Sequence, residues 1–218
     1  MAMLPQACSQ RRIEMSNYIE ETLGCLRNPF RIAEDGTSQT KRYNTGRVGF
    51  HVERLFGISP NNSRSPDFGT TELKVMLAGK KISIGTMPES EFRAINNAVS
   101  HDFEKSDPYK KMKNTLVVVY SRLTNNRDPV YQMNGWGLIN LETMPPRVKT
   151  VLQQDYEFIC RYIKTHCNSR DQVTDMIMDE GGISGDYLAL SYKGGGRGGY
   201  NYPVWTFQAK FMKMLSHA

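Results

Sequence analysis

The chain has 218 residues, a formal net charge of +6 at pH 7 and a pI near 9.1. Apolar residues make up 39% and charged residues 23% of the sequence, as is ordinary for a globular protein. No apolar run approaches the roughly 18 residues that a membrane-spanning helix needs, which excludes an integral helical membrane protein. The basic balance favours a polyanionic partner, although an ordinary basic enzyme shows the same balance.

The four cysteines, Cys8, Cys25, Cys160 and Cys167, show neither a C-x2-C pair nor zinc-like spacing. On a helix, Cys160 and Cys167 stand two turns apart, so we interpret them as buried or incidental thiols rather than as ligands of a metal site. The pattern predicts four free cysteines in a reducing compartment, and we expect a cytoplasmic protein.

The first part of the chain alternates helix and loop before two strands. Apolar residues at helical spacing follow Ser9, a candidate N-cap, and again follow Thr45, with Gly57 ending the second helix. Ala78-Gly79 is typical of a tight hairpin turn between two strands. The predicted elements are helices over residues 9–26 and 45–56, a loop over 28–44, and strands at about 70–77 and 80–86.

The clearest strand is predicted at residues 115–123, where a continuous β-branched run indicates burial on both faces. Gly135-Trp136-Gly137 predicts a bulge or turn in the next strand, and Pro145-Pro146 begins a long helix. The other predicted elements are helices over 89–99, 171–180 and 205–216 and strands over 130–141 and 186–193. This order predicts an α/β fold, a mixed sheet flanked by helices.

Residues 194–200 place five glycines around Arg197 and end at Tyr200. Such a segment lets the backbone approach a ligand closely. It lacks the Gly-Lys-Ser/Thr and the preceding buried strand of a nucleotide-binding phosphate loop. It therefore predicts either a surface loop without function or a loop that becomes ordered on binding nucleic acid, with Lys193 and Arg197 contacting phosphate or a guanine edge.

One short stretch carries two acids and a lysine, in the order Asp67, Glu72, Lys74. Side chains alternate along an extended segment, so Glu72 and Lys74 point to one side and Leu73 points into the core. Asp67 lies five residues before Glu72, so on a single straight strand the two side chains would point to opposite sides. Their convergence therefore predicts a turn or bulge at Phe68-Gly69. With that bend, two carboxylates and one ammonium converge.

This trio suits phosphodiester hydrolysis. Carboxylates are hard oxygen ligands for Mg²⁺, which also binds phosphate oxygens and acidifies a bound water. The lysine can orient that water or stabilise the developing negative charge. Taken alone, the same residues on a surface strand would simply pair with each other, so the flanking residues decide between the two interpretations.

The flanking segments are Asn44-Thr45-Gly46, Gly49 four residues before Glu53, Leu55-Phe56-Gly57-Ile58, Asn61-Asn62, Pro66-Asp67-Phe68 and Glu72-Leu73-Lys74. In this order they resemble the MvaI/BcnI family of restriction endonucleases, relatives of the mismatch-repair nickase MutH. The short gap from Asp67 to Glu72 fits this family better than the longer MutH gap. One departure is that two residues, Arg47-Val48, separate the glycines where the family has one. The firm similarity covers roughly residues 41–76.

The resemblance implies a restriction-endonuclease-like fold and a metal-dependent endonuclease that cuts double-stranded DNA at a short sequence, leaving 5′-phosphate and 3′-hydroxyl ends. It implies that Asp67 and Glu72 bind Mg²⁺, which Mn²⁺ can replace, with the backbone carbonyl of Leu73 as a further ligand. Lys74 would position the attacking water, and Glu53 would support the metal shell.

The resemblance also implies a monomer acting on DNA, with a cognate DNA methyltransferase in the same host. In a single domain we distinguish a catalytic core over about residues 1–125 and a DNA-recognition part over about 126–218. The residues expected to contact DNA are Lys41, Arg42, Asn44, Arg64, Lys111, Lys113, Lys193, Arg197 and Tyr200. For the lysines before the central strand, a solvated loop is an equal alternative.

Two other functions fit the same features. One is a MutH-like strand-specific nickase that depends on partner proteins, and the other is a DNA-binding protein without catalysis. The intact set of acids argues against the second, because a pure binder has no use for desolvated acids beside phosphate.

Overall fold

A computed structural model describes residues 5–32, 47–58, 67, 70–124, 129–194 and 201–215. Its α-helices are α1 (Pro5–Leu23), α2 (Arg47–Leu55), α3 (Glu89–Asn97), α4 (Asp107–Met112), α5 (Pro146–His166), α6 (Arg170–Glu180) and α7 (Ala209–Leu215). Its strands are β1 (Glu72–Leu77), β2 (Ile82–Thr86), β3 (Asn114–Arg122), β4 (Tyr131–Asn140), β5 (Ile183–Ser184), β6 (Leu188–Lys193) and β7 (Tyr202–Phe207). Within these ranges, no helix combines the length and the apolar character that crossing a membrane requires.

The first sheet has the strand order β1-β3-β4. Its middle strand, β3, runs parallel to β1 and antiparallel to β4. The residues Leu116, Val117 and Val118 of β3 are all buried, because hydrophobic side chains cover both faces of the strand. The predicted central strand is therefore confirmed.

The second sheet has the strand order β2-β7-β6-β5 and is antiparallel throughout. Trp205 and Phe207 of β7 are among the largest fully buried side chains of the described chain. Helices α5 and α6 pack on this sheet, and α4 contacts β2. The pairing of β2 with β7 is irregular between Ser83 and Gly85.

Two hydrophobic clusters fill the space between these layers. One lies between α1, α2 and the first sheet and contains Val52 and Leu73. The larger one joins both sheets to helices α3 to α6 and contains Met76, Ile84 and Trp205. Strand β1 contributes to both clusters, since Leu73 and Met76 project from opposite faces of the strand.

The predicted hairpin at Ala78-Gly79 is wrong. The chain does turn there, with Gly79 at a φ of 74°, but β1 and β2 enter different sheets. Strand β1 pairs with β3, and β2 pairs with β7 near the end of the chain. Turn residues specify a local change of direction, whereas the pairing partner is chosen by hydrophobic faces that meet only in the packed fold.

Two further segments differ from prediction. Trp205 lies in β7, and the final helix begins only at Ala209. The sequence did not distinguish the two, because a short apolar run fits strand and helix periodicity equally well. Residues 107–112, for which no helix was predicted, form helix α4. The hydroxyl of Ser106 caps this helix by accepting the N–H of Tyr109, and Pro108 occupies its first turn.

The remaining differences are smaller. Helix α1 begins at Pro5, so Ser9 lies inside it rather than at its N-cap. The irregularity of β4 falls at Asn134, which is the extra residue between the partners of Val119 and Tyr120. Helices α5 and α6 are confirmed at the predicted positions.

Glu91 of α3 is a carboxyl group buried in the larger cluster, with 6% of its surface exposed. Its Oε2 accepts a hydrogen bond from Nε1 of Trp205 at 3.1 Å, and its Oε1 has no hydrogen-bond partner among the described residues. Burial, reinforced by Asp107, raises the pKa of Glu91 to about 8, against smaller opposing effects of Trp205 and Lys110. The carboxyl is therefore protonated in the folded protein at neutral pH.

Replacing Glu91 by Gln should remove a pH dependence of stability. Since the pKa rises from 4.5 to about 8 on folding, the folded state binds the additional proton between these values. The free energy of unfolding of the wild type should fall as pH rises through this window, by up to roughly 1.4 kcal/mol per pH unit from this group. Urea unfolding of both proteins across that window measures the effect. A difference between them that does not change with pH would contradict it.

Candidate active site

Strand β1 presents Glu72 and Lys74 on one side and Leu73 on the other. Leu73 is buried against the cluster that contains Val52, as its alternation with Glu72 predicts. Glu72 is only 5% exposed. A buried carboxylate is stable only with cationic or hydrogen-bonding partners, so the surroundings of Glu72 have to provide them.

A hydrogen bond joins Asp67 to the same strand. The backbone N–H of Leu73 donates to Oδ2 of Asp67 at 2.9 Å. Residues so close in sequence make this contact only if the chain bends between them. This agrees with the bend predicted from the alternation of side chains along a strand. The bend predicted at Phe68-Gly69 lies outside the described residues. Asp67 and Glu72 are thus held at the same end of β1.

Two lysine ammonium groups lie against one oxygen of Glu72. The Nζ of Lys74 is 2.5 Å from Oε1, and the Nζ of Lys111 is 3.8 Å from the same atom. The two lysine side chains are 21% and 33% exposed, so both ion pairs are partly shielded from water. The buried charge of Glu72 is therefore compensated by two cations.

Glu53, on helix α2, belongs to the same group of charges. Helix α2 packs on β1, and Glu53 is partly buried. Burial raises the pKa of Glu53, Asp67 and Glu72 act in the same direction, and Lys74 opposes them. Glu53 therefore lies within electrostatic range of the other acids and of Lys74, on a helix that packs against β1. The structure thus brings together all four residues predicted to be catalytic.

Lys111 reaches the site because of where α4 ends. Helix α4 leads directly into β3, and β3 is parallel to β1, with Thr115 opposite Glu72. The last turn of α4 therefore lies beside the N-terminal end of β1. Sequence reasoning placed Lys111 among the DNA contacts and missed its position beside Glu72. The available signal was Ser106-Asp107-Pro108, a helix start just before the central strand.

Of the other predicted DNA contacts, Lys113 and Lys193 lie within the described residues. Lys113 pairs with Glu142 at 2.7 Å. Lys193 is exposed at the end of β6, directly before the glycine-rich segment. The predicted contacts outside the described residues are Lys41, Arg42, Asn44, Arg64, Arg197 and Tyr200.

The site offers the oxygen donors that Mg²⁺ prefers, namely the carboxylates of Glu53, Asp67 and Glu72 and the carbonyl of Leu73. In the part of the chain that the structure describes, no three His, Cys, Asp or Glu side chains are arranged to hold a metal ion. The donor chemistry fits a divalent cation, whereas the present arrangement of Glu72 is that of an acid balanced by lysines.

The sequence model of the MvaI/BcnI restriction endonuclease family matches residues 30–119, which include all of the acids and lysines of the site. Over these residues the resemblance to the MvaI/BcnI family is confirmed. A solved complex of restriction endonuclease MvaI with its cognate DNA substrate is similar to this chain, with a TM-score of 0.50 and 13% sequence identity. The similarity covers 92% of this chain and 94% of the MvaI chain. No curated protein sequence matches the chain.

The likeness to MvaI extends over the fold as a whole. Because it covers nearly all of both chains, it includes the second sheet, which the match to the MvaI/BcnI family model reaches only through β2. The predicted fold class, a mixed α/β fold of the restriction-endonuclease type, is confirmed.

Proposed function

We propose that the chain is a site-specific endonuclease that hydrolyses phosphodiester bonds of double-stranded DNA with Mg²⁺, leaving 5′-phosphate and 3′-hydroxyl ends. The observation that carries this proposal is Glu72, a buried carboxylate held beside Asp67 and two lysines. A protein that only bound DNA would gain no affinity from acids buried next to phosphate, because burial and repulsion both oppose it.

Lys74 is the residue best placed to act on the attacking water. Its Nζ lies 2.5 Å from Glu72, at the end of β1 where the acids meet. An ammonium group in this position can orient a water molecule toward phosphorus and stabilise the charge that develops on the phosphoryl oxygens. Asp67, Glu72 and the carbonyl of Leu73 would hold Mg²⁺, which supplies polarisation of the phosphate and a more acidic water. Glu53 would support this shell from α2.

We also infer how the protein binds and cuts DNA. We propose that it acts as a monomer, cutting one strand at a time, and that a cognate methyltransferase protects the host DNA. The basic residues outside the described ranges, together with Lys193, would contact the phosphate backbone and the bases. Phosphate contacts fix the position on the duplex, whereas contacts with base edges select the sequence.

Removing divalent metal is expected to abolish cleavage, because every candidate ligand is an oxygen that acts on phosphate through a bound cation. Unmethylated plasmid incubated with the protein and Mg²⁺ should give discrete linear fragments, and the same reaction in EDTA should give none. Full cleavage in EDTA would contradict the metal mechanism. The fragment ends, labelled before and after phosphatase treatment, show whether the 5′ end carries phosphate.

The same incubation separates the two alternative functions. Nicked circles without linear product would indicate a strand-specific nickase. Retarded plasmid without any cleavage, across a range of duplex sequences, would indicate a DNA-binding protein that does not cut.

A further inference from the structure

We propose that Lys111 is a second lysine of the catalytic centre, which contacts the scissile phosphate, and that Gly85 of β2 positions it. This inference rests on the proposed endonuclease function and assigns a part of its active site to the second sheet. The observations that carry it are the contact of Lys111 with Glu72 and the packing of its side chain on Gly85.

The helix that carries Lys111 is held firmly in the fold. On either side of Lys111, Tyr109 and Met112 are buried. The hydroxyl of Thr115 donates to the carbonyl oxygen of Met112 at 3.2 Å, which ties the end of α4 to the start of β3. Lys111 is 33% exposed, whereas Lys110 on the same helix is 66% exposed. Lys111 is therefore directed inward from an anchored helix, unlike its neighbour.

Gly85 provides the surface along which the Lys111 side chain runs. A Cβ atom added at Gly85 would lie 3.3 Å from Cδ and 3.6 Å from Nζ of Lys111. A larger residue at position 85 would push the lysine away from Glu72. Gly85 also follows the irregular pairing of β2 with β7, so the second sheet contacts the Lys111 side chain at a residue that has no side chain of its own.

The distances assign different tasks to the two lysines. Lys74 is within hydrogen-bond distance of Glu72, whereas Lys111, at 3.8 Å, makes an ion pair without a direct hydrogen bond. The ammonium group of Lys111 therefore donates no hydrogen bond to Glu72. In the free protein Lys111 compensates the carboxylate, and in the complex its flexible end can turn to the phosphate oxygen that arrives beside Glu72. There it stabilises charge on the phosphoryl group.

Three variants test this assignment: Lys111→Ala, Gly85→Val, and Lys110→Ala as the matched control from the same helix. Single-turnover cleavage and DNA binding without divalent metal are measured for each. Lys111→Ala should slow cleavage by about 100-fold and reduce the slope of log affinity against log salt by about one. Lys110→Ala removes an exposed charge and should stay within about twofold of the wild-type rate. Thermal unfolding confirms that each variant is folded.

A double-mutant cycle isolates the part played by Gly85. Gly85→Val should slow cleavage in the wild-type background but cause no further loss beside Lys111→Ala, since both changes remove the same contact. Gly85→Ala, which requires only a small shift of Lys111, should give an intermediate loss. An equal loss from Gly85→Val in both backgrounds would overturn the role of Gly85.

The outcome for Lys111 is separable from the outcome for the proposed function. A cleavage rate of Lys111→Ala within about threefold of wild type would mean that the barrier changes by less than 1 kcal/mol. If Glu72→Gln is inactive in the same assay, the protein is an endonuclease and Lys111 is not catalytic. If wild type itself does not cleave, the proposed function fails. An unchanged salt slope in Lys111→Ala then rejects the phosphate contact as well.

Discussion

Replacing Glu72 by Gln, or Asp67 by Asn, is expected to abolish DNA cleavage while DNA binding stays intact or becomes tighter. Both changes keep the shape of the side chain and remove its charge, so the oxygens lose their affinity for a divalent cation. Asn at position 67 keeps an oxygen for the Leu73 N–H, which donates to Asp67 at 2.9 Å. We expect rates lower by at least about 100-fold, or roughly 2.7 kcal/mol of barrier. Removal of negative charge near phosphate accounts for the retained binding.

Single-turnover cleavage and gel retardation of the same duplex measure the two effects separately. Glu89→Gln is a suitable control, because Glu89 is an exposed glutamate that pairs with Arg93 at 3.1 Å on the surface of α3. A rate for either active-site variant within about twofold of wild type, worth some 0.4 kcal/mol, would show that the site lies elsewhere.

The second large effect concerns Asp155, a buried carboxylate of α5. Its Oδ1 accepts the backbone N–H of Asp186 at 2.9 Å, and its Oδ2 accepts those of Tyr187 at 2.6 Å and Leu188 at 2.9 Å. A Cβ atom at Gly185 would lie 2.2 Å from Cγ of Asp155, so only glycine fits beside this carboxylate. Asp155 thus joins the long helix to the start of β6, the strand that leads into the glycine-rich segment.

Asp155→Ala is expected to lower the free energy of unfolding by about 3 kcal/mol. The substitution leaves three backbone N–H groups without their charged acceptor, and at least one of them lies in a buried residue. Buried donors that lose a charged partner cost about 1.5–3 kcal/mol each, although such losses do not add fully. For a chain of this size the unfolding midpoint should fall by about 6–12 °C.

Asp186→Ala serves as the matched control, because it removes a carboxylate from the same turn. The Asp186 side chain is 64% exposed and pairs with Lys210 at the surface, so its loss should change the midpoint little. Calorimetry or thermal circular dichroism compares the two. Equal small shifts for both variants would mean that the Asp155 hydrogen bonds are not important for stability.

The part of the site that could be predicted from sequence is the part built by neighbouring residues. Strand alternation alone placed Glu72 and Lys74 on one side of β1 and Leu73 on the other, and parity required a bend after Asp67. These are consequences of backbone geometry over a few residues. Lys111 could not be placed in this way, because its distance from Glu72 depends on the parallel pairing of β1 with β3.

The same distinction between local and long-range features applies to the fold. The long helix α5, the shorter α6 and the buried strand β3 were predictable, since each carries its own periodicity and its own start or stop signals. The partners of β1 and β2 were not, because a turn at Gly79 is compatible with a hairpin and with a passage into another sheet. Trp205 was wrongly assigned to a helix because its short apolar run fits a strand and a helix equally well.

By itself the sequence indicated a candidate site and where along the chain it lies: two acids, a predicted bend and a lysine, Asp67 to Lys74, within segments that resemble the MvaI/BcnI family. Only the tertiary structure decided which distant residues complete that site and hold it. Lys111 lies beside Glu72 and packs on Gly85. Outside the site, Trp205 likewise contacts Glu91, and the chain at Gly185 packs against Asp155. The physical reason is that local geometry follows from backbone sterics, whereas these contacts exist only once hydrophobic burial has brought separate elements together.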